Sequence, residues 1–151
     1  MNLYLDTNAI LPYFDCLIKN KLTPKVFKYL YNIKDKHKYF VSNLTKVEIF
    51  RYLHSIGSDY KDCQFTWNDF IKSLRVIELR IETIGFDEIL KLVSTRPTRR
   101  GMIVNIIHLL FAKENRLIVL TGDKPLKDRF KVFYTEILTY EEFRKMYTND
   151  I

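Results

Sequence analysis

The segment "GMIVNIIHLLFAKENRLIVLTGD", residues 101–123, constrains the fold more than any other stretch of the chain. Its first part is apolar around most of a helical circumference, so the helix expected over 102–115 belongs in an interior and not on a surface. Its second part, "LIVLTGD", is a short run of leucine and β-branched residues suited to a strand buried on both faces, as strands of a covered parallel sheet are. The rest of the chain repeats the alternation. "NLYLDT", "KYFVSN", "RVIELRI" and "VFYTEIL" read as strands, and between them "NAILPYFDCLI", "TPKVFKYLYNIKDK", "LTKVEIFRYLHSI", "TWNDFIKSL", "GFDEILKLV" and "KPLKDRF" read as helices, with "TYEEFRKMY" as a terminal helix. Thr23 and Pro24 suit an N-cap and a first-turn proline. The expectation is a three-layer α/β/α sandwich around an open, mostly parallel sheet. Only "SIGSDYKDC", 55–63, resembles a longer loop, and no linker or repeat divides the 151 residues, so one domain over 1–151 is expected.

Several function classes fall away on composition and spacing. There is no GxxxxGK[ST] loop to cradle nucleotide phosphates. Cys16 and Cys63 lack CxxC spacing, and His37, His54 and His108 are scattered, so no zinc signature appears and both cysteines are expected as free, buried thiols. No apolar run approaches the ~20 residues that span a bilayer, and residues 1–10 do not resemble a secretory leader, so no membrane association and a cytoplasmic location are expected. The formal net charge of +7 suits a polyanionic partner such as nucleic acid.

Functional groups in open α/β sheets gather beyond the carboxyl ends of the strands. Asp6 directly follows "NLYL" and Asp123 follows "LIVLTG", so two strands each deliver a carboxylate at that edge. Glu48, in the opening turns of the helix after "KYFVSN", lies near the same edge. Each has an ordinary structural role open to it. Asp6 can cap the next helix and Asp123 can serve the turn after Gly122, while "TKVE", 45–48, matches a capping box with Thr45 as N-cap and Glu48 folding back. Three acids converging without a cation would repel, by about 4 kcal/mol for a pair about 4 Å apart at an effective dielectric of 20. A hard divalent ion, Mg²⁺ or Mn²⁺, relieves that repulsion and supports phosphodiester hydrolysis.

At these residues the sequence resembles the PIN-domain nucleases, and in particular the VapC-like toxins of prokaryotic type II toxin–antitoxin pairs. "YLDTNAI" looks like the family's first motif, "SNLTKVEI" its second, "RRGMIVNIIHLLFA" its third and "LIVLTGD" its fourth. The resemblance implies a metal held by four acids. Carried over by position, these are Asp6, Glu48 and Asp123, with Asn105 at the place of the remaining acid. It also implies that Thr7, Asn8 and Thr121 support the acids through hydrogen bonds. An endoribonuclease dependent on Mg²⁺ or Mn²⁺ is expected, acting on RNA as a homodimer built largely from the early helices, with a VapB-like antitoxin covering the acidic edge.

Asn105 departs from the pattern. Its amide offers a carbonyl oxygen but no negative charge, which lowers metal affinity. An engineered Asp to Asn change, a natural enzyme of weak activity and a non-catalytic relative that binds RNA or protein all fit it, as does a polar residue satisfied inside its helix. A PIN nuclease of RNA processing, without an antitoxin, is a further alternative. His108, one turn on, reads as a core or rim histidine. Arg96, Arg99 and Arg100 form a basic run before this helix, placed to hold phosphates, and Lys46, Arg51, Lys124 and Lys127 flank the other motifs.

Overall fold

In the computed structural model, which describes residues 1–18, 25–82, 86–95 and 100–147, Asn2–Leu5 (β1) forms the centre of a five-stranded sheet. Lys38–Ser42 (β2) and Ile118–Thr121 (β4) flank it, with Ile77–Leu79 (β3) outside β2 and Ile137–Thr139 (β5) outside β4. All four pairings are parallel. The order β3-β2-β1-β4-β5 reverses direction at β1, which places the crevice between β1 and β4 at the topological switch point. The backbone N–H of Asp6 donates to the carbonyl of Leu120 at 3.0 Å, so the acid leaves β1 still anchored to β4.

Alternation along the strands builds two cores. Leu3, Leu5, Tyr39, Val41 and Leu120 face one side and pack with Thr7–Ile18 (α1), Lys25–Asn32 (α2), Asn43–Ser55 (α3), Tyr60–Leu74 (α4) and Tyr140–Tyr147 (α8). Tyr4, Val119 and Ile137 face the other and pack with Phe86–Thr95 (α5), Arg100–Glu114 (α6) and Lys124–Phe130 (α7). The three-layer α/β/α sandwich expected from the alternation is the observed architecture.

Several boundaries differ from the sequence reading. Asp59, whose carboxylate accepts the backbone N–H of Asp62 at 2.8 Å, caps α4 and starts that helix inside the expected loop, leaving only 56–59 between α3 and α4. β5 is three residues long, and Val132, within the expected final strand, is 78% exposed. Helix α6 buries Ile106 and 108–112 but brings its first turns, including Ile103, to the surface, so it is interior over only part of its length. Both cysteines are free, yet only Cys63 is buried and Cys16 is half-buried. The Thr23–Pro24 helix start lies outside the described residues. Among the described residues no helix is long and apolar enough to cross a membrane.

Candidate metal centre at the carboxyl edge of the sheet

Asp6, Glu48 and Asp123 reach this edge from three different elements. Asp6 directly follows β1 and is 2% exposed; its Oδ2 accepts the Thr121 hydroxyl at 2.9 Å. Thr121, the last residue of β4, in turn accepts the backbone N–H of Asp123 at 3.0 Å. Burial pushes the Asp6 carboxyl up from the ordinary aspartate range; His108 and the Thr121 hydroxyl pull it back in part, and the charge of Glu48 adds to the rise. A carboxylate so placed has given up its water without acquiring a full countercharge.

The capping-box reading of "TKVE" is overturned. Ser42 is the N-cap of α3, its hydroxyl accepting the Thr45 backbone N–H at 3.2 Å, and Thr45 lies wholly buried inside the helix. The helix begins three residues earlier than a Thr45 cap requires, so Glu48 is turned across the edge instead of back onto its own N-terminus. Its Oε2 accepts the hydroxyl of Thr7, from the first turn of α1, and the ring N–H of His108 Nε2 at 2.7 Å. Burial raises the Glu48 carboxyl, but the hydrogen bond and charge of His108, the Thr7 hydroxyl and the neighbouring Arg51 outweigh it and hold the group below the usual glutamate range. A cavity of about 350 Å³ opens beside it, lined by Thr7, Leu11, Glu48, Arg51, Tyr52 and Ser55.

Asp123 retains its structural role. Its Oδ1 accepts the Leu126 backbone N–H at 3.3 Å and caps α7. Asn105 lies in α6 one turn before His108, a spacing that makes the two neighbours on the helix surface. It is half-buried. Asn8 is exposed at the mouth of a second cavity, of about 360 Å³, which Thr121, Gly122, Lys124 and Tyr140 also line.

The cations divide. Arg51 stays beside Glu48, whereas Lys127 is paired with Glu142 at 2.5 Å and Lys46 reaches Glu78 at 3.9 Å. Arg96 and Arg99 lie outside the described residues, and Arg100 opens α6.

Sequence reasoning missed the participation of Tyr4 and Ser42 and undervalued His108. His108 is 2% exposed and joins Glu48 through Nε2, while its Nδ1 meets the Tyr4 hydroxyl at 2.5 Å. The i, i+3 relation to Asn105 was the available signal for the histidine. Nothing in "NLYL" marks Tyr4, whose role depends on which face of β1 it occupies.

The donor set suits a hard, oxygen-seeking ion of the Mg²⁺ or Mn²⁺ type, which needs only one or two carboxylates when water and phosphate complete its shell. Among the described residues no group of three or more His, Cys, Asp or Glu side chains that could hold a metal ion is gathered together.

The strand order, the parallel pairing and the two helical layers define a PIN-like α/β/α domain. The chain is similar in structure to a chain of the VapBC2 complex from Rickettsia felis, solved bound to a promoter DNA fragment, with a TM-score of 0.62 at 14% sequence identity over 92% of this chain and 97% of that one. No protein-family profile matches the sequence, and no curated protein does.

Proposed function

We propose that this chain is a metal-dependent endoribonuclease of the toxin type, with a metal centre weakened by Asn105. The observation that carries the reading is the buried Asp6 carboxyl, tied through Thr121 to the backbone of Asp123, at the point where three elements deliver acids to one edge. Asp6 and Glu48 would hold the ion, with Asp123 and the Asn105 carbonyl contributing directly or through water. When bound, Mg²⁺ or Mn²⁺ supplies an activated water and stabilises charge on the phosphate. The chain's own residues prepare that edge. Thr121 fixes Asp6 against β4, Thr7 and His108 fix Glu48, and Arg51 offers a cation to an RNA phosphate beside the cavity.

A homodimer and an antitoxin partner belong to the same proposal. The early helices leave Leu17 and Tyr31 exposed, 45% and 46% respectively, although Tyr13, Phe14 and Leu30 from the same helices are spent on the chain's own core. The VapBC2 complex to which the fold is similar is the support for an antitoxin.

A second reading, a non-catalytic PIN-like domain that binds RNA or protein, is favoured by the uncharged Asn105 and by the absence of a three-residue cage among the described residues. Cleavage of defined RNAs in Mn²⁺ by this chain and by Asn105→Asp separates the two. The enzymatic reading expects weak cutting by the parent and cutting faster by about tenfold or more in the Asp form, a scale typical of changes around a metal centre. Tight RNA binding with no cutting by either form overturns it.

A further inference from the structure

We infer that His108 is the positioning residue for Glu48, and that Tyr4 holds His108 in the orientation this requires. The inference rests on Glu48 being a metal ligand, as proposed above, but the geometry it uses is internal to the chain.

The imidazole lies between two partners on opposite ring nitrogens. Nε2 faces Glu48 Oε2 at 2.7 Å, and a carboxylate only accepts, so the ring nitrogen donates. Nδ1 faces the Tyr4 hydroxyl, a hydrogen-bonding group on the opposite side of the ring. Tyr4 is itself fixed by Ser42 Oγ at 2.8 Å and Thr45 Oγ1 at 3.1 Å, and those hydroxyls lie 3.2 Å apart. Tyr4, Ser42 and Thr45 are fully buried and His108 nearly so, which leaves the chain of bonds no water to exchange with.

The direction of the network matters more than its presence. Thr7 and His108 both donate to Oε2, and among the described residues Oε1 takes no hydrogen bond. One oxygen of the carboxylate is therefore pinned by α1 and α6 together, and the other is left for a ligand. A glutamate on the exposed rim of a helix has three rotatable bonds to immobilise before it can hold an ion. Here that ordering is done by residues from two other helices and, through Tyr4, by the central strand. Partners of this kind behind a metal ligand are commonly worth 10- to 100-fold in metal affinity. The usual arrangement, a carboxylate orienting a ligating histidine, is reversed.

The test uses the full chain and two readouts. In the metal-free protein, long-range ¹H–¹⁵N correlation of the His108 ring is expected to show a proton on Nε2; a bare Nε2 overturns the inference. Binding of Mn²⁺ alone, by calorimetry, is expected to weaken about 10- to 100-fold in His108→Leu and to return to within about threefold of the parent in His108→Gln, whose amide can donate to Oε2. Tyr4→Phe, which leaves the imidazole in place but removes its Nδ1 partner, is expected to weaken binding less than His108→Leu. A folded His108→Leu that binds Mn²⁺ as tightly as the parent, or more tightly, overturns the inference. Should that variant not fold, unchanged binding in Tyr4→Phe does so. A parent chain that binds no Mn²⁺ at millimolar concentration defeats the metal reading instead, and the Nε2 proton then decides the orientation of Glu48 separately.

Discussion

Asp6 and Asp123 are joined through a single hydroxyl: Thr121 Oγ1 donates to Asp6 Oδ2 at 2.9 Å and accepts the Asp123 backbone N–H at 3.0 Å. The last residue of β4 thus couples the acid that follows β1 to the acid that caps α7. Replacing Thr121 by Val keeps the shape and the β preference but deletes both bonds. Asp6 is too buried for water to replace the donor. Thr121→Val is expected to lose about 1 to 3 kcal/mol, the range for a hydrogen bond to a buried charged group, read as a lower urea midpoint at unchanged slope.

The two central acids oppose each other in their dependence on pH. Asp6 binds its proton more tightly folded than unfolded, so its contribution is fully present below the ordinary aspartate range and is lost as pH rises through its raised folded value. Glu48, held low, contributes stability above the ordinary glutamate range that is lost as pH falls through its folded value. In the presence of a chelator at pH 7, Asp6→Asn removes the unfavourable charge and keeps an acceptor for Thr121. Its melting temperature is expected to rise by about 2 °C or more, with the gain vanishing below the ordinary aspartate range. A lower melting temperature at pH 7 would show that Asp6 is not short of countercharge.

Gly122 links Thr121 to Asp123 where β4 passes the first turn of α1. A Cβ added there would stand 2.8 Å from the Asn8 carbonyl oxygen, and a backbone atom has no rotamer by which to withdraw. Gly122→Ala therefore forces β4 and α1 apart at the edge that holds the acids. An overpacking cost of about 1 to 3 kcal/mol is expected in urea unfolding, with weaker Mn²⁺ binding in the same variant.

Much of this edge was legible in sequence because it rests on local rules. An acid directly after an apolar strand run must emerge at the strand's carboxyl end, and Asp6 and Asp123 do. Glu48 was placed near the correct edge, but its orientation was obscured because "TKVE" satisfies a capping pattern that Ser42 pre-empts. The helix ends were equally hard to read: α4 gives way to Arg75 and α6 is followed by Arg116, both in the left-handed conformation where a glycine would ordinarily mark the stop. The Tyr4–His108–Glu48 chain joins residues 104 and 60 positions apart, and no periodicity reports a contact between β1, α3 and α6. Lys127 shows the converse, a cation beside a motif that is engaged by Glu142.

The proposed metal centre makes Asn105 the residue at which a metal-free and a metal-loaded chain should differ most. Asn105 lies one helical turn before His108, a spacing that puts the two on the same side of α6, and it is half-buried. In the proposed centre, substituting Asp adds a charge to an edge where burial, and after it the charge of Glu48, already raise the Asp6 carboxyl. With a chelator present, Asn105→Asp is expected to melt below the parent by about 2 °C or more, since each like-charge contact in a partly desolvated site costs on the order of 1 kcal/mol. With Mn²⁺ at millimolar concentration the order is expected to reverse, because an ion gains more from an additional carboxylate than from an amide oxygen, and stabilisation grows with the ratio of ligand to its dissociation constant. Thermal melts of both forms with and without metal read the crossing directly. Parallel shifts, with no exchange of order, would show that residue 105 does not face the ion at all.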